Sequence, residues 1–236
     1  MSDPIKSLKQ IGLLSQLTEQ ELADLAARCR WRSFTDGELI IGHQDRSFDV
    51  LFLVSGMARV SIYSVTGKLV SFRDIRPGDI VGELSAIDEK PRSASVESIG
   101  RSMFLAMPQA VFHDLLKTRP VVLFALLRHL TRQVRALTAR VFEFSTLAVR
   151  NRVHAELVRL ARNGTTGGKE AVIAPAPTHS EIASRISTHR EAVTRELNRL
   201  EDLNIIAKEG RTLKVLDLPR LASMVDELTA DSPGKG

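Results

Sequence analysis

With 236 residues, 43% of them hydrophobic, the chain can build two ordinary domains with a core each, which argues against disorder outside the ends. A formal net charge of +5 permits a nucleic-acid partner without establishing one, and the single cysteine, Cys29, excludes an internal disulfide framework or a four-cysteine metal cluster. No run of apolar residues is long enough to span a membrane and the N-terminus is polar, so the expectation is a cytoplasmic protein without a membrane partner.

Thr18-Glu19-Gln20-Glu21 is a capping box, and Leu22, Leu25 and Ala26 follow at helical spacing, so a short amphipathic helix precedes Trp31. From Trp31 to Met107 the period changes to short β-like runs at 38–41, 48–54, 58–63, 69–75, 95–99 and 101–106. Turn signals at Asp36-Gly37, Gly42, Ser55-Gly56, Gly67 and Pro77-Gly78-Asp79 separate them, which predicts an all-β barrel of the jelly-roll kind. The run from Gly82 to Ala94 interrupts this barrel. Its glycine lets backbone approach a ligand, and a one-turn helix opening at Glu83 would aim free N–H groups at a phosphate. Arg92 offers a planar fork of donors to that phosphate, Ser93 a hydroxyl, and Glu83 an acceptor suited to a ribose hydroxyl.

Pro108 and Pro120 each stand as first-turn prolines of helical sequence. After Pro120, apolar residues at Leu123, Leu127, Leu130, Val134, Leu137, Val141 and Phe144 alternate four and three apart. Arg128, Arg132, Arg135 and Arg140 lie off this seam, so a parallel coiled-coil homodimer is expected. A further helix is predicted over 149–162, then a loop at Gly164 to Gly168 and a strand at 170–174 closed by Pro175 and Pro177. The chain accordingly divides into a barrel domain over 1–119, a dimerisation helix and hinge over 120–145, and a C-terminal domain over 146–236, with Ser145 or Thr146 as cap at the hinge.

In that last domain two capping boxes stand ten residues apart, Thr178-His179-Ser180-Glu181 and Thr188-His189-Arg190-Glu191. The first opens a short helix with Ile182, Ala183 and Ile186 inward, and the second a longer one that buries Val193, Leu197, Leu200 and Leu203. This is a helix-turn-helix, whose second helix enters the major groove by its N-terminal part. Arg190, Glu191, Thr194 and Arg195 are exposed there and suit base edges, while Thr188, His189 and Arg199 suit phosphates, and Thr178, which opens the unit, is a further DNA-binding candidate. Residues 205–208 and 212–216 around Glu209-Gly210-Arg211 form a hairpin, the wing of a winged helix.

Gly-Glu-Leu at Gly82, seven residues, then Arg-Ser-Ala at Arg92 resembles the phosphate-binding cassette of the cAMP receptor protein branch of the CRP/FNR transcription regulators. The segment from Thr188 to Arg195 is similar to the recognition helix of the same branch, and the resemblance covers nearly the whole chain. It implies an α+β architecture of cyclic-nucleotide-binding barrel, long dimer helix and winged helix-turn-helix. It further implies that Gly82, Glu83, Leu84, Ser85, Arg92, Ser93 and Ala94 hold a cyclic nucleotide, with Thr138 at the adenine from the opposite subunit and Arg135 nearby. The resemblance makes cAMP the first choice of effector, and because Leu137 is apolar where the best-known members carry a second hydroxyl residue, cGMP is kept as the second. Palindromic double-stranded DNA with TGTGA-type half-sites follows, Arg190 and Arg195 on guanines and Glu191 opposite cytosine. RNA polymerase is a further implied partner, with the loop Gly164 to Lys169 in the corresponding region.

Other functions fit less well. The six histidines lack ligand spacing, no His-x-His pair exists between Trp31 and Met107, and Cys29 reads as a packed small hydrophobe. A jelly-roll metalloenzyme, a metal or haem sensor and any catalytic cofactor are therefore not expected. The alternative kept is a CRP/FNR-type regulator that is ligand-independent or answers another small effector.

Overall fold

The computed structural model describes residues 4–226 except 66, 68 and 163, and the chain forms two compact units that meet in sequence at Val134 and Arg135. In the first, α1 (Pro4–Lys9) and α2 (Glu19–Ala27) precede the strands. Thr18 caps α2 as its sequence demands, and Leu22 and Leu25 are buried. Strands β1 (Arg30–Phe34), β2 (Leu39–Ile41), β3 (Val50–Tyr63), β4 (Leu69–Ile75), β5 (Ile80–Val81) and β6 (Ser95–Met107) form one antiparallel sheet in the order β1-β6-β3-β4, with β2 on β6 and β5 on β3.

Period-two alternation along the two long strands makes two cores. Leu51 and Leu53 of β3 and Phe104 and Ala106 of β6 enter one with Phe34, Ile41 and Ile75. Their neighbours Val50, Phe52, Leu105 and Met107 face the other, made with the helices. Cys29 packs against this second core, and burial pushes its thiol up to about 11.

The sequence expectation differs here in several respects, the absence of helix α1 and of the short strand β5 from it among them. Strand β1 carries too little apolar alternation to be read, since only Phe34 of its five residues is buried. The Ser55-Gly56 signal and Gly100 do not end strands. The expected runs 48–54 and 58–63 are one strand, as are 95–99 and 101–106, and the register of β3 on β6 shifts at Ser55 instead of breaking. Gly56 (φ 88°) lies so close to the Arg101 carbonyl oxygen that no side chain would fit there.

Pro108 stands one residue before α4 (Gln109–Thr118), and Pro120 opens α5 (Pro120–Thr146). This 27-residue helix carries two apolar edges rather than one. Val122 and Leu126 are buried and Leu130 packs partly against the same core, so Leu130 belongs to its own unit. Leu123, Leu127, Val134, Leu137, Val141 and Phe144 are exposed, from 37% at Phe144 to 65% at Val141.

The second unit continues with α6 (Val149–Arg162), β7 (Thr165–Gly167), β8 (Glu170–Ile173), α7 (His179–Arg185), α8 (Arg190–Asp202), β9 (Ile206–Glu209), β10 (Thr212–Val215) and α9 (Leu218–Asp226). Its sheet runs β7-β8-β10-β9, so the expected loop at Gly164 to Gly168 contains an edge strand. Val153, Leu157, Val193, Leu197, Leu200 and Val215 centre the core. Helix α9 was not anticipated, although Asp217 caps it by accepting from Arg220 N at 3.0 Å and Pro219 lies in its first turn. Neither residue suggested for the hinge cap serves as one. The Thr146 hydroxyl donates back to the Phe142 carbonyl oxygen at 2.8 Å, and Ala148, which has no polar side chain, precedes α6.

Candidate ligand cradle and nucleic-acid interface

Strand β5 delivers the chain to Gly82, which adopts φ 84° and precedes α3 (Glu83–Asp88). A β-carbon at Gly82 would stand 2.5 Å from Arg92 Nη1 and 2.8 Å from the Asp49 carbonyl oxygen, so this corner requires glycine. Arg92 is only 3% exposed and Glu83 4%. The guanidinium donates from Nε to Ser47 Oγ (2.9 Å), from Nη1 to the Gly82 carbonyl (2.9 Å) and from Nη2 to the Asp49 carbonyl (2.8 Å). Three of its five N–H groups are thereby used and two remain for an anion. Burial lowers the proton affinity of Arg92, and the carboxylates of Asp49, Glu83 and Asp45 oppose that.

Of the expected cradle residues, Gly82, Glu83, Ser85 and Arg92 converge here, with Ser85 buried. Leu84 and Ser93 are exposed and Ala94 is half-buried. The loop before β3 also belongs to the site, because Arg92 exchanges backbone bonds with Gln44 and Asp45. Its signal was faint: Asp45 Oδ2 accepts from Gly42 N at 3.1 Å, an aspartate turn after glycine. From α5, Gln133 donates to Glu83 Oε1 at 3.3 Å, and His129 stands against Gln133. Burial lowers the His129 pKa while Glu83 pulls it back. Arg135 and Thr138 are exposed on α5 in the second unit.

In the DNA-reading unit Thr178 caps α7 through a complete capping box with Glu181. Thr188 does not cap α8. Its N–H donates to the Ala183 carbonyl at 3.0 Å beyond Ser187 (φ 53°), which ties it to the end of α7 and makes His189 the cap residue, without a side-chain bond. Arg190, Glu191 and Arg195 are exposed on the first turns of α8, and Thr188 and Thr194 are half-buried. Val193, Leu197 and Leu200 are buried as expected, but Leu203, just past the helix end, is 37% exposed. Arg199 Nη1 meets Glu196 Oε1 at 3.3 Å, and the same oxygen lies 2.6 Å from His154 Nε2 in the interior. Burial lowers the His154 pKa against the opposing pull of Glu196. The wing is β9–β10, turning at Gly210 (φ 57°).

Beneath the helix-turn-helix lies a charged cluster that sequence reading missed, because isolated arginines and glutamates read as solvated faces. Glu156 is 1% exposed and bonds Arg159 as well as Arg140 Nη1 (2.9 Å) and Arg185 Nη1 (3.5 Å). Arg159 Nη2 also bonds both oxygens of Glu143 at 2.8 Å, and Arg140 donates to the Arg185 carbonyl. Removing the Glu156 carboxylate costs about 3–5 kcal/mol, because it leaves the buried Arg185 and the largely buried Arg140 without their shared counter-charge.

The family described as Cyclic nucleotide-binding domain matches residues 31–119, and that described as Crp-like helix-turn-helix domain matches residues 151–224. Over 216 residues the chain is 25% identical to the CRP-like cAMP-activated global transcriptional regulator of Mycobacterium tuberculosis, covering 91% of this chain and 96% of that protein. The chain belongs to the CRP/FNR family. Like other CRP/FNR proteins it is a DNA-binding transcription regulator and not an enzyme. A second CRP/FNR relative, the Cyclic AMP receptor protein of Thermus thermophilus, is 27% identical over 221 residues, 94% of this chain and 98% of that one. The same fold is found in a CooA variant from Carboxydothermus hydrogenoformans, with a TM-score of 0.75 at 18% identity over 86% of this chain and 90% of that chain. Among the described residues, no helix is long and apolar enough to cross a membrane, and no group of three or more His, Cys, Asp or Glu residues could hold a metal ion.

Proposed function

We propose that this regulator is a homodimer that binds a cyclic nucleotide, cAMP in first place and cGMP in second, and then reads palindromic TGTGA-type sites. The observation that carries this reading is the buried Arg92 held against the left-handed Gly82 with Glu83 beside it. A buried guanidinium with two spare donors is an anion site, and a buried carboxylate next to it repels a second anion but accepts from a hydroxyl. Phosphate on Arg92 and Ser93 and ribose on Glu83 satisfy both groups at once. The purine then falls to Thr138 and Arg135 of the second subunit, brought there by the exposed edge of α5. A ligand that touches one subunit's cradle and the other's helix has different affinity for different helix arrangements, which is what shifts a population.

Calorimetric titration of the full chain with cAMP and cGMP tests the effector. Thr138→Ala is expected to weaken the preferred purine by on the order of 1 kcal/mol, about fivefold, and the other by less. An equal loss for both nucleotides removes Thr138 from the selectivity site.

On DNA, base readout and phosphate attraction separate by their response to sequence and salt. Arg195→Ala is expected to cost about 1 to 3 kcal/mol on a TGTGA palindrome and to flatten discrimination at one guanine. Arg199→Ala should weaken all sequences alike, and modestly, because Glu196 already offsets part of its charge. Anisotropy titrations at several salt concentrations check both. A selected site without an inverted repeat, or indifferent to Arg190, Glu191 and Arg195, would overturn the DNA reading.

A further inference from the structure

His179, which the sequence places inside a capping box and nothing more, sits where the two helices of the reading unit meet. It is the first residue of α7, half-buried, and its Nδ1 lies 2.7 Å from Thr194 Oγ1 of α8. The Thr194 hydroxyl also reaches the Arg190 carbonyl oxygen at 3.0 Å, and with its hydrogen donated there its oxygen accepts the hydrogen of His179 Nδ1. In that arrangement the neutral ring is the Nδ1–H tautomer and Nε2 is the atom that takes a second proton. Burial lowers the proton affinity of the ring. So do two cations, Lys208 of the wing strand β9 and Arg190 of α8, while Glu201 of α8 opposes them. An imidazole set between two cations, with Glu201 opposing them, on a surface built for a polyanion would be charged by a further anion close by.

We propose that His179 contacts the DNA backbone through Nε2 as an imidazolium, so that the DNA-bound regulator holds one proton per subunit more than the free one, with Thr194 setting the ring. This rests on the DNA-reading function above. Phosphates that land beside Arg190 and Lys208 cancel the repulsion that keeps the ring neutral, and an N–H to phosphate oxygen bond favours the charged form directly. The sign follows from linkage. Where the complex binds more protons than the free partners, affinity rises as pH falls, by at most about tenfold per pH unit per proton. Below the free ring's lowered pKa both states are protonated and the slope vanishes.

Anisotropy titrations of the full chain with saturating cAMP on a TGTGA palindromic duplex, at fixed salt between pH 6 and 8.5, test this with His179→Gln and His179→Arg beside the wild type. Every other histidine is common to the proteins compared, so the difference in slope is the readout. The wild type is expected to gain roughly three- to tenfold more affinity per subunit contact between pH 8 and 6 than His179→Gln. The arginine variant, with a permanent charge, should lack that extra slope and bind at pH 8 at least as tightly as the wild type. Equal slopes in wild type and His179→Gln, or the full wild-type slope kept in His179→Arg, overturn the proposal while leaving DNA reading intact. Failure of the wild type to bind the duplex at any pH overturns both.

Discussion

Arg92→Ala is expected to abolish measurable binding of cAMP and cGMP. Two charge-assisted hydrogen bonds to a buried phosphate at about 1.5 to 3 kcal/mol each correspond to a loss on the order of 10² to 10⁴ in affinity. The structure adds a second consequence. The Gly82 and Asp49 carbonyls and the Ser47 hydroxyl lose a charged donor at a part-buried corner, so the first unit should also lose on the order of 1 kcal/mol of stability. Titration calorimetry run well below the melting temperature separates the two effects. Wild-type affinity in the folded variant would sink the cradle assignment, and a folded variant with an unchanged melting temperature would show that the three internal bonds contribute nothing.

The second large effect concerns assembly. Leu137→Lys with Val141→Lys is expected to yield folded monomers, because both side chains are exposed, at 52% and 65%, and their loss opens no core of the chain itself. In a dimer paired along this edge the two substitutions bring four ammonium groups into one contact. A weakening on the order of 10³-fold or more, about 4 kcal/mol, follows. Leu130→Lys is the wrong probe, since Leu130 packs into its own unit and its replacement would damage the fold. Sedimentation of the double variant as an intact dimer would put the interface elsewhere.

How much of this was legible in the sequence depended on how local the information was. The cradle could be read because Gly82, Glu83 and Arg92 lie within one short segment whose chemistry is self-contained. Its supports Ser47, Asp49 and Gln133 could not, because only sheet pairing and the return of α5 bring them there. The helix-turn-helix was legible from capping and apolar spacing, yet α8 starts one residue late, since Thr188 N is claimed by the preceding helix. Along α5, four-three spacing suggested one seam that included Leu130. A 27-residue helix has room for two edges, and spacing alone does not tell which neighbour each one meets. The charges around Glu156 were invisible for the opposite reason, as nothing in their spacing distinguishes a buried cluster from a solvated surface.

That cluster bears on how such regulators can be recombined. The break at Leu147-Ala148, where α5 ends, is the obvious place to cut. A graft made there would carry Arg140 and Glu143 with α5 and leave Glu156, Arg159 and Arg185 with the helix-turn-helix domain, stranding charge on both sides. The exchangeable cassette therefore starts upstream, within α5, ahead of Arg140, and the last two turns of that helix are inherited together with the helix-turn-helix domain.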